Sequence, residues 1–259
     1  MAAQLRRFEG KNVLVTGAGT GYGAAIAIRA AAEGARVAVH YRTSRAGAEE
    51  TADQIAKLGG ESLLVQADIM YWDQIRRMAD EVFAAFGDLD VVINNVGDMA
   101  AEQLSWRDIT EESIDHILAV DVKGTMLCVH EFGQRLYDGT GGCIVNIGST
   151  VIVRGSSRAP QYAAAKYGLL GITKSYARAL APKVRVNTFA PGFMETETIL
   201  NREDWKSGRG EEMRRLTPMG RIPKPEEMAG TALFLATDDA SHMTGAYLNA
   251  DGGYNMIGA

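Results

Sequence analysis

Short, near-continuous apolar runs alternate along this chain with longer stretches whose apolar residues recur at helical spacing. NVLV (12–15), RVAVHY (36–41), SLLVQAD (62–68), LDVVINN (89–95), GCIVNIGS (142–149), VRVNTFAP (184–191) and AYLNADGG (246–253) read as strands, the last closing in a turn. Between them, 24–35 reads as an apolar helix stopped by Gly34, followed by helices over 46–60, 71–87, 160–181 and 225–237. Residues 105–138 form a longer helical region, read as two helices. Strands that are apolar on both faces must be covered on both faces. Strict alternation with helices then points to an α/β sheet of seven strands, mostly parallel, with helices on each side. One segment breaks the rhythm. Residues 193–216 carry 11 charged side chains in 24 positions, too many for core, and they follow a strand end, where a mobile lid over a site would lie.

Composition narrows the classes. The 259 residues fit one large α/β domain, and 46% hydrophobic residues supply a substantial core. With a net charge of −5, the chain has no basic excess to neutralise phosphates, so nucleic acid is not an expected partner. The first residues lack the apolar run of a signal peptide, and no apolar stretch reaches the ~20 residues that span a bilayer. The reading is a soluble cytoplasmic protein without membrane association. Cys128 and Cys143 stand far apart without a CxxC, as buried thiols do. His40, His116, His130 and His242 show no metal-ligand spacing and no evident role, so no metal is expected.

The first strand runs into VLVTGAGTGYG, where Gly17, Gly21 and Gly23 sit at a strand-to-helix turn. Glycines there permit the tight turn and let the backbone approach a pyrophosphate, while the helix start offers free N–H groups and a positive dipole end. This strand–glycine–helix context predicts dinucleotide binding. NAD sites often place an acid at the end of the second strand for the ribose 2′-hydroxyl. Here Tyr41 holds that position and Arg42, Thr43, Ser44 and Arg45 follow. An arginine there suits a 2′-phosphate, so the expected cofactor is NADP(H).

Tyr162 and Lys166, four apart in APQYAAAKYGLLG, lie on one helix face. A tyrosine titrates near ~10, and an ammonium one turn away favours the phenolate, bringing the phenol toward acid–base work near neutral pH. Thr16 to Gly23 spell T-G-x-x-x-G-x-G, NNVG follows at 94–97, Ser149 ends IVNIGS, Y-x-x-x-K comes 13 residues later, and Pro191–Gly192 and DGG (251–253) complete the order. In this ordered set the chain resembles the short-chain dehydrogenase/reductase family, specifically its branch of about 250 residues, over essentially its whole length. It is most similar to the 3-oxoacyl-acyl-carrier-protein reductase-like group.

The resemblance implies a single-domain Rossmann fold and hydride transfer between a nicotinamide and a carbonyl or secondary alcohol. It implies that Tyr162 exchanges the proton of the substrate oxygen, that Lys166 tunes Tyr162 and holds the nicotinamide ribose, and that Ser149 orients the carbonyl. It places Gly17, Thr20, Gly21, Tyr22 and Gly23 along the pyrophosphate turn, Asp68 and Ile69 by the adenine, Asn95 and Gly97 by the ribose, and Met194 by the nicotinamide. Where many members carry an asparagine that holds a relay water, LAVDVKGTM has Asp121. Its carboxylate can still accept from water, and it adds a negative charge that partly offsets the pull of Lys166 on Tyr162.

The substrate is the open point: a 3-oxoacyl thioester, or a sugar, steroid or other small alcohol. An NADP-binding sensor without turnover is the alternative class, and only Asp121 favours it. An acyl carrier protein is a candidate partner through Arg135, Lys183, Arg209, Arg214 and Arg215, although Glu195, Glu197, Glu203 and Glu211 oppose an acidic partner. Arg154 and Arg158, between the serine and the tyrosine, are placed to meet an anionic substrate. The family resemblance also implies a homotetramer, assembled through helices 105–138 and 160–181.

Overall fold

The computed structural model describes residues 6–98 and 105–256. Its centre is a seven-stranded, all-parallel sheet in the order β3-β2-β1-β4-β5-β6-β7. In chain order the elements are β1 (Asn12–Val15), α1 (Gly21–Ala32), β2 (Arg36–Tyr41), α2 (Arg45–Lys57), β3 (Ser62–Gln66), α3 (Trp72–Phe86) and β4 (Val91–Asn94). Then come α4 (Glu111–Ile117), α5 (Thr125–Asp138), β5 (Gly142–Ile147), α6 (Val151–Arg154), α7 (Pro160–Leu180) and β6 (Val184–Pro191). The chain finishes with α8 (Glu197–Leu200), α9 (Gly210–Leu216), α10 (Pro225–Phe234) and β7 (Tyr247–Ala250).

Alternation along each strand splits the core into two layers. Val13, Val15, Val37, Val39, Ile93 and Val145 face one side, where they meet α1, α2 and α10 through Ile26, Ile55 and Leu233. Leu14, Ala38, Val92 and Ile144 face the other, against Met78 of α3, Phe132 of α5 and Leu169 of α7. Burial on both faces is why the central strands read as near-continuous apolar runs, with polar residues such as Asn94, Asn146 and Thr188 paired where they occur. The chain winds outward from β1 to β3, then returns to place β4 on the other side of β1, with Val15 level with Ile93. This reversal opens a crevice beyond the C-terminal ends of β1 and β4, the place where open α/β sheets bind ligands.

Two local readings change. The region 105–138 is not a plain helix pair: after the 3₁₀ turn Trp106–Asp108, α4 and α5 are joined by a π-helical stretch, Leu118–Gly124. Asp121, fully buried, sits in that stretch, and such widened turns re-aim side chains at functional sites. The charged segment 193–216 also does bury core: Ile199, Trp205 and Met213 pack with Ile222, and Phe193, Leu216 and Tyr254 border them. Its charges lie around this small cluster, so the segment is a folded cap with its own apolar centre.

Candidate active site

The glycine-rich turn between β1 and α1 is held from three directions. Thr16 Oγ1 accepts from the backbone N–H groups of Asn95 (2.9 Å) and Val96 (3.2 Å), and Asn95 Nδ2 donates to Thr16 O (3.0 Å) and Gly17 O (3.3 Å). Asn95 is thus committed to locking the turn onto the end of β4. Gly23 is obligatory for packing, since a Cβ there would stand 2.2 Å from Gly17 O. Gly21 is different: its φ of +57° favours glycine, and a Cβ would meet only Thr196 Cγ2, at 4.0 Å. The space above the turn is open, bounded by the chain that follows β6. Thr20 precedes α1 without a side-chain cap, and the first turn of the helix holds no acid. An anion with backbone-facing oxygens fits this donor set.

His40, to which the sequence assigned no role, is the third support. Gly17 N–H donates to His40 Nδ1 (3.0 Å), His40 Nε2 lies 2.9 Å from Ala67 O, and Ala18 N–H donates to His40 O (2.8 Å). An acceptor at Nδ1 requires the proton at Nε2, so the ring is neutral and ties the turn to the end of β3. Burial pushes its pKa down to about 4. The unfolded chain therefore takes up a proton below pH ~6.5 that the folded protein refuses until about 4, and stability falls as pH drops through that window. His40→Asn keeps an acceptor for Gly17 but does not titrate. We expect its unfolding free energy at pH 7 to fall by about 1–3 kcal/mol, and its loss of stability between pH 6.5 and 4 to be shallower than wild type by up to one proton, measured by urea unfolding across pH. Parallel pH profiles would remove His40 from this account.

Tyr22 corrects an expectation. Its backbone stands in the turn, but its side chain faces the core one helical turn before Ile26, donating to Met228 O (3.0 Å) and lying 6.3 Å from the Phe189 ring. Ile69 likewise is core, packed where a Cβ on Gly124 would come within 2.8 Å of its Cδ1. Asp68 Oδ1 accepts from Met70 N–H (3.0 Å), and its Oδ2 lies 4.0 Å from Arg42 Nη1. Arg42 is half-exposed just past β2, and its neighbour Arg45 is paired with Glu49 (2.8 Å). Met194 is buried beside Thr196, which caps α8 by accepting from Ile199 N–H (3.3 Å).

Deeper in the crevice, α7 carries Tyr162 and Lys166, both almost wholly buried. Lys166 Nζ lies 5.5 Å from the Tyr162 ring centroid, 3.4 Å from Ile147 O and 3.1 Å from Asp121 Oδ2. Asp98 N–H donates to Asp121 Oδ1 (2.8 Å). Gly97 makes this ion pair possible, because a Cβ there would come within 2.8 Å of Lys166 Nζ. The helix is fixed to the sheet by a buried polar chain: Asn94 donates to Asn146 (2.9 Å), Asn146 to Thr173 (2.9 Å), and Thr173 meets Thr188 at 2.7 Å.

Ser149 follows β5 and lines a cavity of about 170 Å³ with Arg154, Arg158, Phe193, Arg209 and Tyr254 among its walls. The sequence placed Arg209 on the lid at the entrance but offered no reason to group Arg202 and Asp204 with the cavity. Asp204 takes a two-pronged pair from Arg202 (3.0 Å each) and a hydrogen bond from Arg158 (2.7 Å), with Arg209 3.7 Å away. Arg202 above all, with Arg158 adding, pushes the Asp204 carboxyl down to about 2. The candidate entrance cations are largely engaged elsewhere: Arg135 with Asp80 and Glu131, Lys183 with Tyr137 O, and Arg214 with Glu195 and Glu211. Among the described residues, no helix is long and apolar enough to cross a membrane.

A dinucleotide-type crevice ending in a buried tyrosine–lysine pair and a strand-end serine defines an α/β oxidoreductase of the Rossmann type. The family model described as enoyl-(acyl carrier protein) reductase matches residues 17–255. The chain belongs to the short-chain dehydrogenase/reductase family, whose members act on CH–OH and carbonyl groups. It is 37% identical over 254 residues to D-threitol dehydrogenase of Mycolicibacterium smegmatis, covering 96% of this chain and 95% of the relative. It is 34% identical over 247 residues to 3-oxoacyl-[acyl-carrier-protein] reductase FabG of Staphylococcus aureus, covering 95% and 98%. A short-chain dehydrogenase from Burkholderia cenocepacia, solved in complex with NADP, superposes with a TM-score of 0.87 at 33% identity, covering 96% of this chain and 99% of that one.

Proposed function

We propose that the protein is an NADP(H)-dependent oxidoreductase that interconverts a small carbonyl compound and its secondary alcohol. The carrying observation is the buried Tyr162–Lys166–Asp121 assembly at the crevice, with Ser149 in the adjoining cavity. Gly17, Thr20, Gly21, Gly23 and the Tyr22 backbone would hold the pyrophosphate, Asp68 and the Ile69 backbone the adenine, Asn95, Gly97 and Lys166 the riboses, and Met194 the nicotinamide. Bound, that cofactor supplies or accepts the hydride. Tyr162 gives its phenolic proton to the substrate oxygen in reduction and takes it back in oxidation. Lys166 holds positive charge beside the phenol, Asp121 anchors the ammonium, and Ser149 donates to the carbonyl oxygen. The cap 193–216, joined to the body by the Arg158–Asp204 bond, is placed to exclude water as a lid.

The choice of NADP(H) rests on Arg42 and on the lack of an acid at the end of β2, supported by the NADP held in the Burkholderia relative. Arg42→Ala is expected to weaken NADPH binding by ~10–100-fold and to leave NADH nearly unchanged, read by nicotinamide fluorescence. Tighter NADH than NADPH in the wild type would overturn the assignment. Turnover is tested with a ketone panel that includes a 3-oxoacyl thioester. Tight cofactor binding with no turnover on any member would favour a sensor. The engaged entrance cations favour a small molecule over an acyl carrier protein. Exposed Met126 on α5 and Tyr167 on α7 support a homotetramer assembled through those helices.

A further inference from the structure

We propose that this site selects a substrate bearing its own anionic group, a carboxylate or a phosphate ester, gripped by arginines in the cavity beside Ser149. The proposal rests on the carbonyl–alcohol reading of that site. Three arginines and no acidic residue are among the described residues lining the cavity. They arrive from two separate parts of the chain. Arg154 ends α6, Arg158 lies in the short loop that leads to α7, and Arg209 comes from the cap.

The cluster already shows what it can hold. Asp204 is a carboxylate shared by the guanidinium groups of Arg158, Arg202 and Arg209. Among the described residues, three guanidinium groups surround this one carboxylate, so positive charge outnumbers negative in the cluster. Arg209 adds a second mark: among the described residues its Nε has no hydrogen-bond partner, and its guanidinium lies 5.7 Å from the Phe193 ring. Its contact with Asp204, at 3.7 Å, is beyond hydrogen-bond distance. Guanidinium forks match carboxylate and phosphate oxygens. A cavity of about 170 Å³ admits a compound of few atoms, since sites for drug-sized ligands run to about 300–1,000 Å³. A small oxo acid or phosphorylated ketone fits this volume and charge.

The test compares matched substrates on the full chain with NADPH: oxo acids of increasing length against their methyl esters, and dihydroxyacetone phosphate against dihydroxyacetone. We expect one charged member to exceed its neutral counterpart by at least ~10-fold in kcat/KM, the acid and phosphate arms showing which anion is meant. Arg154→Gln and Arg209→Gln should lower the charged substrate's kcat/KM by ~10–100-fold, a drop at least ~10-fold larger than on the neutral one, with partial recovery in the lysine variants. Calorimetry of the matching hydroxy acid on the NADPH-loaded protein, a pair in which neither partner can accept a hydride, gives a readout independent of turnover. Turnover of neutral ketones with no preference for charge and no hydroxy-acid binding would overturn the anion site while leaving the oxidoreductase intact. Hydroxy-acid binding lost in the variants, without turnover of any ketone, would sustain the anion site and defeat the oxidoreductase reading. If a variant fails to fold, the wild-type ratio of charged to neutral substrate decides alone.

Discussion

Tyr162→Phe is expected to reduce kcat by roughly 10²–10⁴-fold while leaving cofactor affinity within about threefold of wild type and the melting temperature almost unmoved. The tyrosine ring is almost wholly buried among Ile117, Ala159 and Ala165, so phenylalanine fills the same space and removes only the hydroxyl. What is lost is the group to which the proposed mechanism assigns the proton. Lys166 stays against Asp121 in the variant, so the charge proposed to hold the ribose is kept. The measurements are steady-state kinetics on the best substrate of the panel, fluorescence titration with NADPH and a thermal scan. A variant that keeps more than a tenth of wild-type kcat would show that another group handles the proton.

Lys166→Met should be as costly to the fold as Tyr162→Phe is to the chemistry. Asp121 is 0% exposed, and its described partners are Lys166 Nζ at 3.1 Å and the Asp98 N–H at 2.8 Å. Removing the ammonium leaves a carboxylate in an apolar interior with one hydrogen bond. The expected loss is about 3–5 kcal/mol of unfolding free energy, in the range seen when one partner of a buried pair is deleted. The double variant Lys166→Met, Asp121→Asn should regain most of that stability and none of the activity, since the charge beside Tyr162 is still missing. Urea unfolding of the four members of this cycle measures the coupling. Additive losses would mean that the two side chains do not depend on each other. Asp121→Asn alone removes a negative charge beside the ammonium, and the pH–rate profile for alcohol oxidation should shift toward lower pH.

Much of this was legible in the linear chain for a simple reason. A strand buried on both faces is a continuous apolar run, and a helix packed on a sheet repeats its apolar residues at 3.6, so the seven strands and their crossover helices show through without a structure. The short-range constellations were legible too. Tyr162 and Lys166 are one helical turn apart, and the turn glycines lie within seven residues of one another. Tyr22 shows the limit of motif reading: it stands within the glycine pattern, yet helical phase points its side chain with Ile26 into the core. The charged segment 193–216 shows the same limit, because spacing alone could not reveal that Ile199, Trp205 and Met213 would find Ile222.

The chain by itself therefore determined the fold class, and it made the candidate nucleotide turn, the serine–tyrosine–lysine set and Asp121 visible as motifs, carried by periodicity or by residues close in sequence. Tertiary structure alone decided the partners that come from afar. Packing brought His40 under Gly17 from β2, and from a π-helical turn it set Asp121, whose charge the family resemblance already placed near Lys166, in a direct ion pair with that lysine. It also brought Asp204 from the cap onto Arg158 beside the cavity. A local pattern records the geometry of one element. A buried hydrogen bond or ion pair between elements depends on how the sheet and its helices dock, and no residue spacing encodes that.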